Sequence, residues 1–347
     1  MIVPFFFKTG FWRGNSVGLW NIGAFMGAFL LCKVSGLNFE ALPESLFQTL
    51  LFVIILYLLY LALPIVLLEF SLVKNVGLHY LKGDILPDIR RFIKERLSRY
   101  YSFSSIISLL PIILQAFLCF IVYSNLKPAS FVLAQRSFDP ELWELDNILF
   151  LGHNLPGWVS QHNWSLLTGF LTIVYCSHFF LLLFTLFFLA TMKRDLNLSW
   201  HYATSLIAAH YLSLIGYLLF PSWGPCYFRP DFYTFLEGTE IAEIQKSLLW
   251  AQQAYLSDPQ HFRIMLGNGV GAMPSLHVTM MFNHAYYFFR ASSRLWIPMF
   301  IWAVLNFVST LYFGWHYLSD GLVGILITVL SIAIASRLYR GKKPDIS

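Results

Sequence analysis

The chain has 347 residues, 57% of them hydrophobic and only 12% charged, and its mean hydropathy is +0.63. A soluble globular domain carries about a quarter charged residues, so this composition excludes one and indicates a multi-spanning membrane protein. The formal charge of +5 would suit a nucleic-acid binder, but the basic residues flank apolar runs; they follow a membrane and exclude nucleic acid as a partner.

Apolar runs long enough to cross a bilayer, roughly 17–25 residues each, are predicted at 17–36, 46–70, 102–124, 164–191, 202–220, 276–290, 296–313 and 317–338. The fold class is therefore an all-α polytopic membrane helical bundle of about eight transmembrane helices. Lys8 and Arg13 precede the first run as in a secretory signal, but no small-residue cleavage site follows, so an uncleaved span or interfacial helix is expected. Residues 71–101 are rich in Lys and Arg, with Leu81, Ile85, Ile89, Phe92 and Ile93 at helical spacing, an amphipathic pattern suited to an anionic leaflet. The chain divides into N-terminal spans with this cytoplasmic connection (1–101), a membrane core (102–338) and a basic cytoplasmic tail (339–347).

Residues 125–163 read as a first external loop. Asp139, Glu141, Glu144 and Asp146 could together hold a divalent cation, but an acidic external helix with interfacial Trp143 and Trp158 explains them with fewer assumptions. Asn163-Trp164-Ser165 is a glycosylation sequon abutting a span. His178, His201 and His210 fall in or beside spans, where a lone histidine is expected to be hydrogen-bonded packing. The four cysteines form no CxxC pair, so neither a disulfide framework nor a zinc site is expected. Residues 231–270 form a second external loop with Trp250, Tyr255, Phe262 and Met265.

Alternating the span ends places the basics of 74–99, Lys193, Arg194, Arg290, Arg294 and the C-terminal cluster on one side. Few of the 23 basic residues, Lys127 and Arg229 among them, fall on the other. The asymmetry puts both termini in the cytoplasm and the 221–275 and 314–317 loops on the periplasmic or lumenal side. Short termini favour a bacterial inner membrane over a eukaryotic endomembrane.

Those external loops carry the chemistry. His316 and Asp320 stand four apart, which on a helix places the carboxylate beside one imidazole nitrogen and leaves the other free as nucleophile or base. His277 follows Pro274-Ser275-Leu276 at an expected helix start, where unpaired N–H groups and the dipole favour an anion such as phosphate. Arg229, at the expected mouth of the site, offers a planar fork for phosphate, unless it pairs with Asp231 or Glu237.

Taken together, Arg229-Pro230, Pro274-Ser275-Leu276-His277 and Ser309-Thr310-x5-His316-x3-Asp320 resemble the three signature motifs of the type 2 phosphatidic acid phosphatase superfamily. The resemblance covers roughly residues 164–338 and implies a six-helix lipid-phosphatase-like catalytic core. It implies that His316 becomes a phosphohistidine held by Asp320, that His277 moves the proton, and that Arg229 and Ser275 bind phosphate, with no metal or cofactor. Where that pattern has a lysine, a glycine and an arginine, this chain has Ser222, Leu276 and Thr310; Tyr227, Tyr312 or Trp315 would have to replace the missing donors. The Gly271-Ala272-Met273-Pro274-Ser275-Leu276-His277 form looks more like the inositol phosphorylceramide synthase branch.

The resemblance thus implies a phosphotransferase moving a phosphoryl or phospho-head-group unit between lipids. The alternative is a phosphatase acting on a lipid or isoprenoid phosphate. Phospholipid, sphingolipid or isoprenoid-phosphate substrates are expected in either case. A transporter using the same groups for proton coupling would place them at mid-bilayer, whereas they stand at span ends.

Overall fold

A computed structural model of the chain describes residues 15–41, 110–162, 164–192, 195–263 and 269–339. The span expected at 46–70, the amphipathic connection at 71–101, Asn163 of the sequon, Lys193, Arg194 and the tail from 340 onward lie outside the described residues. Among the described residues there is no strand. The helices are α1 (Asn15–Val34), α2 (Leu110–Ala134), α3 (Asp139–Leu149), α4 (Leu155–Gln161), α5 (Ser165–Cys176) and α6 (His178–Phe187), the last running into a π-helical turn, Phe188–Met192. After these come α7 (Leu196–Leu219), α8 (Pro225–Phe228), two 3₁₀ turns at Pro230–Phe232 and Thr234–Leu236, α9 (Glu240–Ser257), α10 (Leu276–Arg290), α11 (Trp296–Tyr312) and α12 (Leu318–Tyr339).

Helices α1, α2, α7 and α12 are long and apolar enough to cross a membrane, and the pair α5–α6, bent by 46°, makes a fifth if it is one span. The expectation of eight rests for its remainder on the shorter α10 and α11 and on the undescribed 46–70. Large apolar side chains stand bare on the outside of the bundle, among them Leu19 and Ile22 on α1, Phe300 and Ile301 on α11, and Leu326 and Val329 on α12. Water would make such a surface aggregate; lipid makes it the natural exterior.

Three expected boundaries differ. Helix α2 continues to Ala134, ten residues past the end of its apolar run, carrying Lys127 and Pro128 inside it. Proline survives there because its surroundings compensate: the Pro128 carbonyl accepts the Gln252 side-chain amide at 3.0 Å, and its ring packs on Gly269. The single span expected at 164–191 breaks at Ser177, whose hydroxyl donates to the Val174 carbonyl and accepts the Trp302 indole N–H. The two external loops are largely helical, through α3, α4 and α9.

The chain runs up α7, down α10, up α11 and down α12. One end of the bundle therefore gathers the C-terminus of α7 and the N-termini of α10 and α12, with Gly216 of α7 tight against Pro274. The opposite end holds His201, which meets Tyr287 and the Ser336 hydroxyl.

Between these ends a polar seam joins α7, α10 and α12. Thr279 donates to the Gly324 carbonyl at 2.9 Å, Thr328 to the Thr279 carbonyl at 3.1 Å, Asn283 to Ser331 at 3.1 Å, and Ser205 to Asn283 at 2.9 Å. Each bond between membrane helices contributes about 0.6 kcal/mol, so close packing must supply the rest, and glycine permits it. A Cβ on Gly324 would stand 2.6 Å from the Ser275 carbonyl oxygen. Gly324→Ala is expected to cost about 1–3 kcal/mol through overpacking, read as a lower thermal midpoint in detergent. Gly23→Ala on α1, where a Cβ meets nothing within 4 Å, should leave the midpoint unchanged or slightly higher.

Candidate active site

Three loops converge at the α7/α10/α12 end, and each satisfies the backbone of another. In the first, Gly224 has φ +101, and a Cβ there would stand 2.6 Å from the Trp315 carbonyl oxygen, so only glycine fits. Cys226 N–H donates to the Gly314 carbonyl at 2.8 Å. Ser222 is fully buried; its carbonyl accepts Ala272 N–H at 2.9 Å and its hydroxyl accepts Met273 N–H at 3.0 Å.

Asp139, at the start of α3, ties these loops together. Its carboxylate accepts the N–H groups of Trp223 and Gly224 and the Tyr317 hydroxyl, each at 2.8 Å, besides the Ser137 hydroxyl. One helical repeat on, Asp146 accepts Leu318 N–H at 2.5 Å and Ser319 N–H at 3.0 Å, capping the N-terminus of α12. Burial pushes the Asp146 carboxyl up from its ordinary range, and these N–H bonds oppose the shift. Glu141 turns outward to Arg136. The four acidic residues thus diverge, and among the described residues no three metal-ligating side chains are grouped.

His316 lies immediately before α12 and is buried. Its Nδ1 stands 2.7 Å from the Ala272 carbonyl oxygen and 3.5 Å from Asp320 Oδ2. A carbonyl only accepts, so Nδ1 carries the hydrogen and Nε2 keeps its lone pair. The backbone carbonyl, more than Asp320, orients the ring. Asp320 Oδ2 also accepts Tyr317 N–H at 2.8 Å, and the Asp320 carbonyl accepts Ser275 N–H at 3.0 Å.

Ser275 is the N-cap of α10. Its hydroxyl accepts Val278 N–H at 3.4 Å and its carbonyl accepts Thr279 N–H at 3.1 Å, which leaves the N–H groups of Leu276 and His277 outside the helix ladder. The His277 ring centre lies 5.7 Å from that of His316. It stacks on Tyr175 at 4.6 Å and meets His178 edge-on at 4.3 Å. The break at Ser177 brings Tyr175 and His178 into this position. Tyr175 stacks in turn on Trp315 at 5.5 Å.

The structure therefore gathers His277, His316, Asp320 and Ser275 at one end of the bundle. Arg229 stands apart, donating to both Asp231 oxygens at 3.0 and 2.9 Å and lying over Phe232 and Trp143. The guanidinium holds the Asp231 carboxyl below its ordinary range. Trp143 connects Arg229 to the candidate site: it lines a small solvent-open pocket beside His316, together with Asp146, Asn147, His153 and Tyr233. Of the replacement donors, Tyr227 is engaged with the Gln245 carbonyl and Tyr312 with Thr168. The buried Trp315 Nε1 has no partner among the described residues.

Residues 140–334, more than half of the chain, match a family model described as PAP2 superfamily. The chain belongs to the PAP2 superfamily. No curated protein and no solved structure matches it. Membership makes the protein a membrane enzyme of the lipid phosphatase or phosphotransferase type, with lipid phosphates as its substrate class. Two of the three positions that depart from the expected motif are enclosed by backbone. Ser222 and Thr310, where a lysine and an arginine were expected, are both fully buried and tied to backbone, and the Thr310 carbonyl accepts the N–H groups of Trp315 and His316 at 3.0 and 3.3 Å.

Asp139→Ala would strip the acceptor from two backbone N–H groups and two hydroxyls, those of Tyr317 and Ser137, at about 1–3 kcal/mol for each group left buried and unpaired. The expected outcome is a thermal midpoint lowered by many degrees, with loss of turnover although both histidines remain. Glu141→Ala, which breaks only an exposed pair, should change neither measurement.

Proposed function

We propose that the protein is an integral membrane phosphotransferase that passes a phosphoryl or phospho-head-group unit from one lipid to a lipid hydroxyl through a phosphohistidine on His316. The observation that carries this is the orientation of the ring: Nδ1–H is committed to the Ala272 carbonyl, so Nε2 is the nucleophile, and His277 stands opposite.

In the first half-reaction Nε2 attacks phosphorus as the P–O bond to the donor breaks, and His277 gives its proton to the departing alkoxide. In the second, the acceptor hydroxyl yields its proton to His277, its oxygen bonds phosphorus, and the N–P bond breaks. An imidazolium is costly in so enclosed a place, and the negative charge of an arriving phosphate offsets that cost. Asp320 stabilises the cationic His316 of the intermediate. Non-bridging oxygens meet the free N–H groups at the start of α10, and Arg229 takes up the phosphate at the pocket rim by exchange with Asp231.

Transfer is favoured over hydrolysis by the pocket beside His316. Its wall of Trp143, Asp146, Asn147 and His153 presents an aromatic face and hydrogen-bond acceptors, which suit a hydroxyl-bearing group. The leucine at 276 and the threonine at 310 keep the reading within the inositol phosphorylceramide synthase-like branch, acting at the periplasmic or lumenal face.

The decisive experiment is product analysis with purified protein, labelled phospholipids and isoprenoid phosphates, with and without a lipid alcohol. Label on the acceptor, abolished by His316→Ala and reduced by about 10²–10⁴-fold in His277→Ala, is the expected result. Inorganic phosphate released regardless of acceptor would make the enzyme a phosphatase. Equal activity of wild type and His316→Ala would overturn the histidine mechanism.

A further inference from the structure

A phosphate needs fixed positive charge in the site, and the two motif positions expected to supply it hold Ser222 and Thr310. Arg229 is exposed and committed to Asp231. A half-buried cation nevertheless lies beside the segment that leads into the α10 loop, on a helix that precedes the family match. Lys127 sits in α2, its ammonium 5.7 Å from the Tyr123 ring centre and 5.3 Å from that of Tyr217. Among the described residues its ammonium makes no hydrogen bond and no ion pair.

The placement of Lys127 is built. The Gln252 side chain donates to the Pro128 carbonyl at 3.0 Å and accepts Val270 N–H at 3.1 Å. It thus ties the residue after Lys127 to the segment that leads into the catalytic loop. The Ser130 hydroxyl fixes the Lys127 carbonyl at 2.7 Å. Gly271 leaves room for the side chain: a Cβ there would stand 3.0 Å from Lys127 Cε and 3.0 Å from the Tyr217 ring. The next residue is Ala272, whose carbonyl holds His316. An ammonium at this depth is kept at a cost, and two tyrosine faces compensate only part of it. What completes it is an anion.

We infer that Lys127 is the phosphate-binding cation of this enzyme, its ammonium meeting a non-bridging oxygen of the lipid phosphate while Tyr123 and Tyr217 hold it in the empty site. The assignment rests on the proposed site at His277 and His316 and adds the charge that the motif residues lack. By spreading the negative charge of the phosphoryl group, Lys127 favours attack by His316 Nε2.

The test uses the full-length protein in detergent and orthovanadate as a phosphate-like probe, with binding measured by calorimetry and lipid turnover measured in parallel. Lys127→Met is expected to weaken vanadate binding on the order of a hundredfold without lowering the thermal midpoint, because it removes a half-buried cation whose ammonium has no ion-pair partner among the described residues. Lys127→Arg should recover most of the affinity, and Lys33→Met at the exposed end of α1 should leave it unchanged. Gly271→Ala, which crowds the Lys127 side chain, should weaken binding even if Lys127→Met fails to fold. Vanadate binding that is undiminished in both Lys127→Met and Gly271→Ala, or absent from the wild type, overturns the assignment. Wild type that binds vanadate in a Lys127-dependent way but transfers no label would sink the proposed reaction and leave the anion site standing.

Discussion

Three irregular loops meet at the end of a helical bundle, in surroundings where an unpaired backbone N–H costs more than almost any side-chain change can recover. The structure meets this constraint by having each loop serve as partner for another. Ser222 receives the N–H groups of Ala272 and Met273, Gly314 that of Cys226, Thr310 those of Trp315 and His316, and Asp320 that of Ser275. The catalytic geometry is a consequence of this pairing. The carbonyl that orients His316 belongs to Ala272, and Ala272 is in place because Ser222 holds its N–H. Asp139 extends the arrangement outward by taking two N–H groups of the first loop and the Tyr317 hydroxyl of the third.

How far the sequence discloses this depends on the range of the interaction concerned. The helix start after Pro274 and the spans over α7 and α12 follow from local pattern and appear near where it puts them, whereas His316 lies two residues before α12, off the helix face expected to pair it with Asp320, and takes its orientation from Ala272. Asp139 and Asp146 resemble any acidic surface helix, because what distinguishes them, the N–H groups of Trp223 and Leu318, lies far along the chain. His178 is the buried, hydrogen-bonded packing that was expected, its Nδ1 on the Tyr175 carbonyl at 2.8 Å, and its edge-on contact with His277 is the part that local pattern could not show. The extension of α2 was hidden by composition: Lys127-Pro128 ends an apolar run, and only the contacts from Gln252 and Gly269 show that the helix continues. The Asp231 partner of Arg229, two residues away, was by contrast visible as an alternative.

Burial explains the two departures from the expected motif. A long cationic side chain at 222 would have to leave the position from which Ser222 bonds Ala272 and Met273, and Thr310 is equally enclosed, its hydroxyl on the Phe307 carbonyl at 2.7 Å. Both positions have been given over to holding loops together. A site organised in this way gains rigidity at the catalytic loops but must take its positive charge from a neighbouring element, and α2 is the described helix that brings one.

The distribution of charge around the two histidines then sorts the substrates in space. Asp139 and Asp146 have spent their carboxylates on backbone N–H dipoles, which lowers but does not cancel the negative potential on the α3 side of His316. A phosphate would be repelled there and a hydroxyl would not. Lys127, the start of α10 and the Trp315 N–H, which has no partner among the described residues, each favour an anion. On the proposed reading the phosphate is drawn toward α2 and the acceptor hydroxyl is received against Trp143 and Asp146, which line the pocket beside His316. The proposed group transfer needs its nucleophile within reach of both donor and acceptor, and a hydrolase would put water in the acceptor's place.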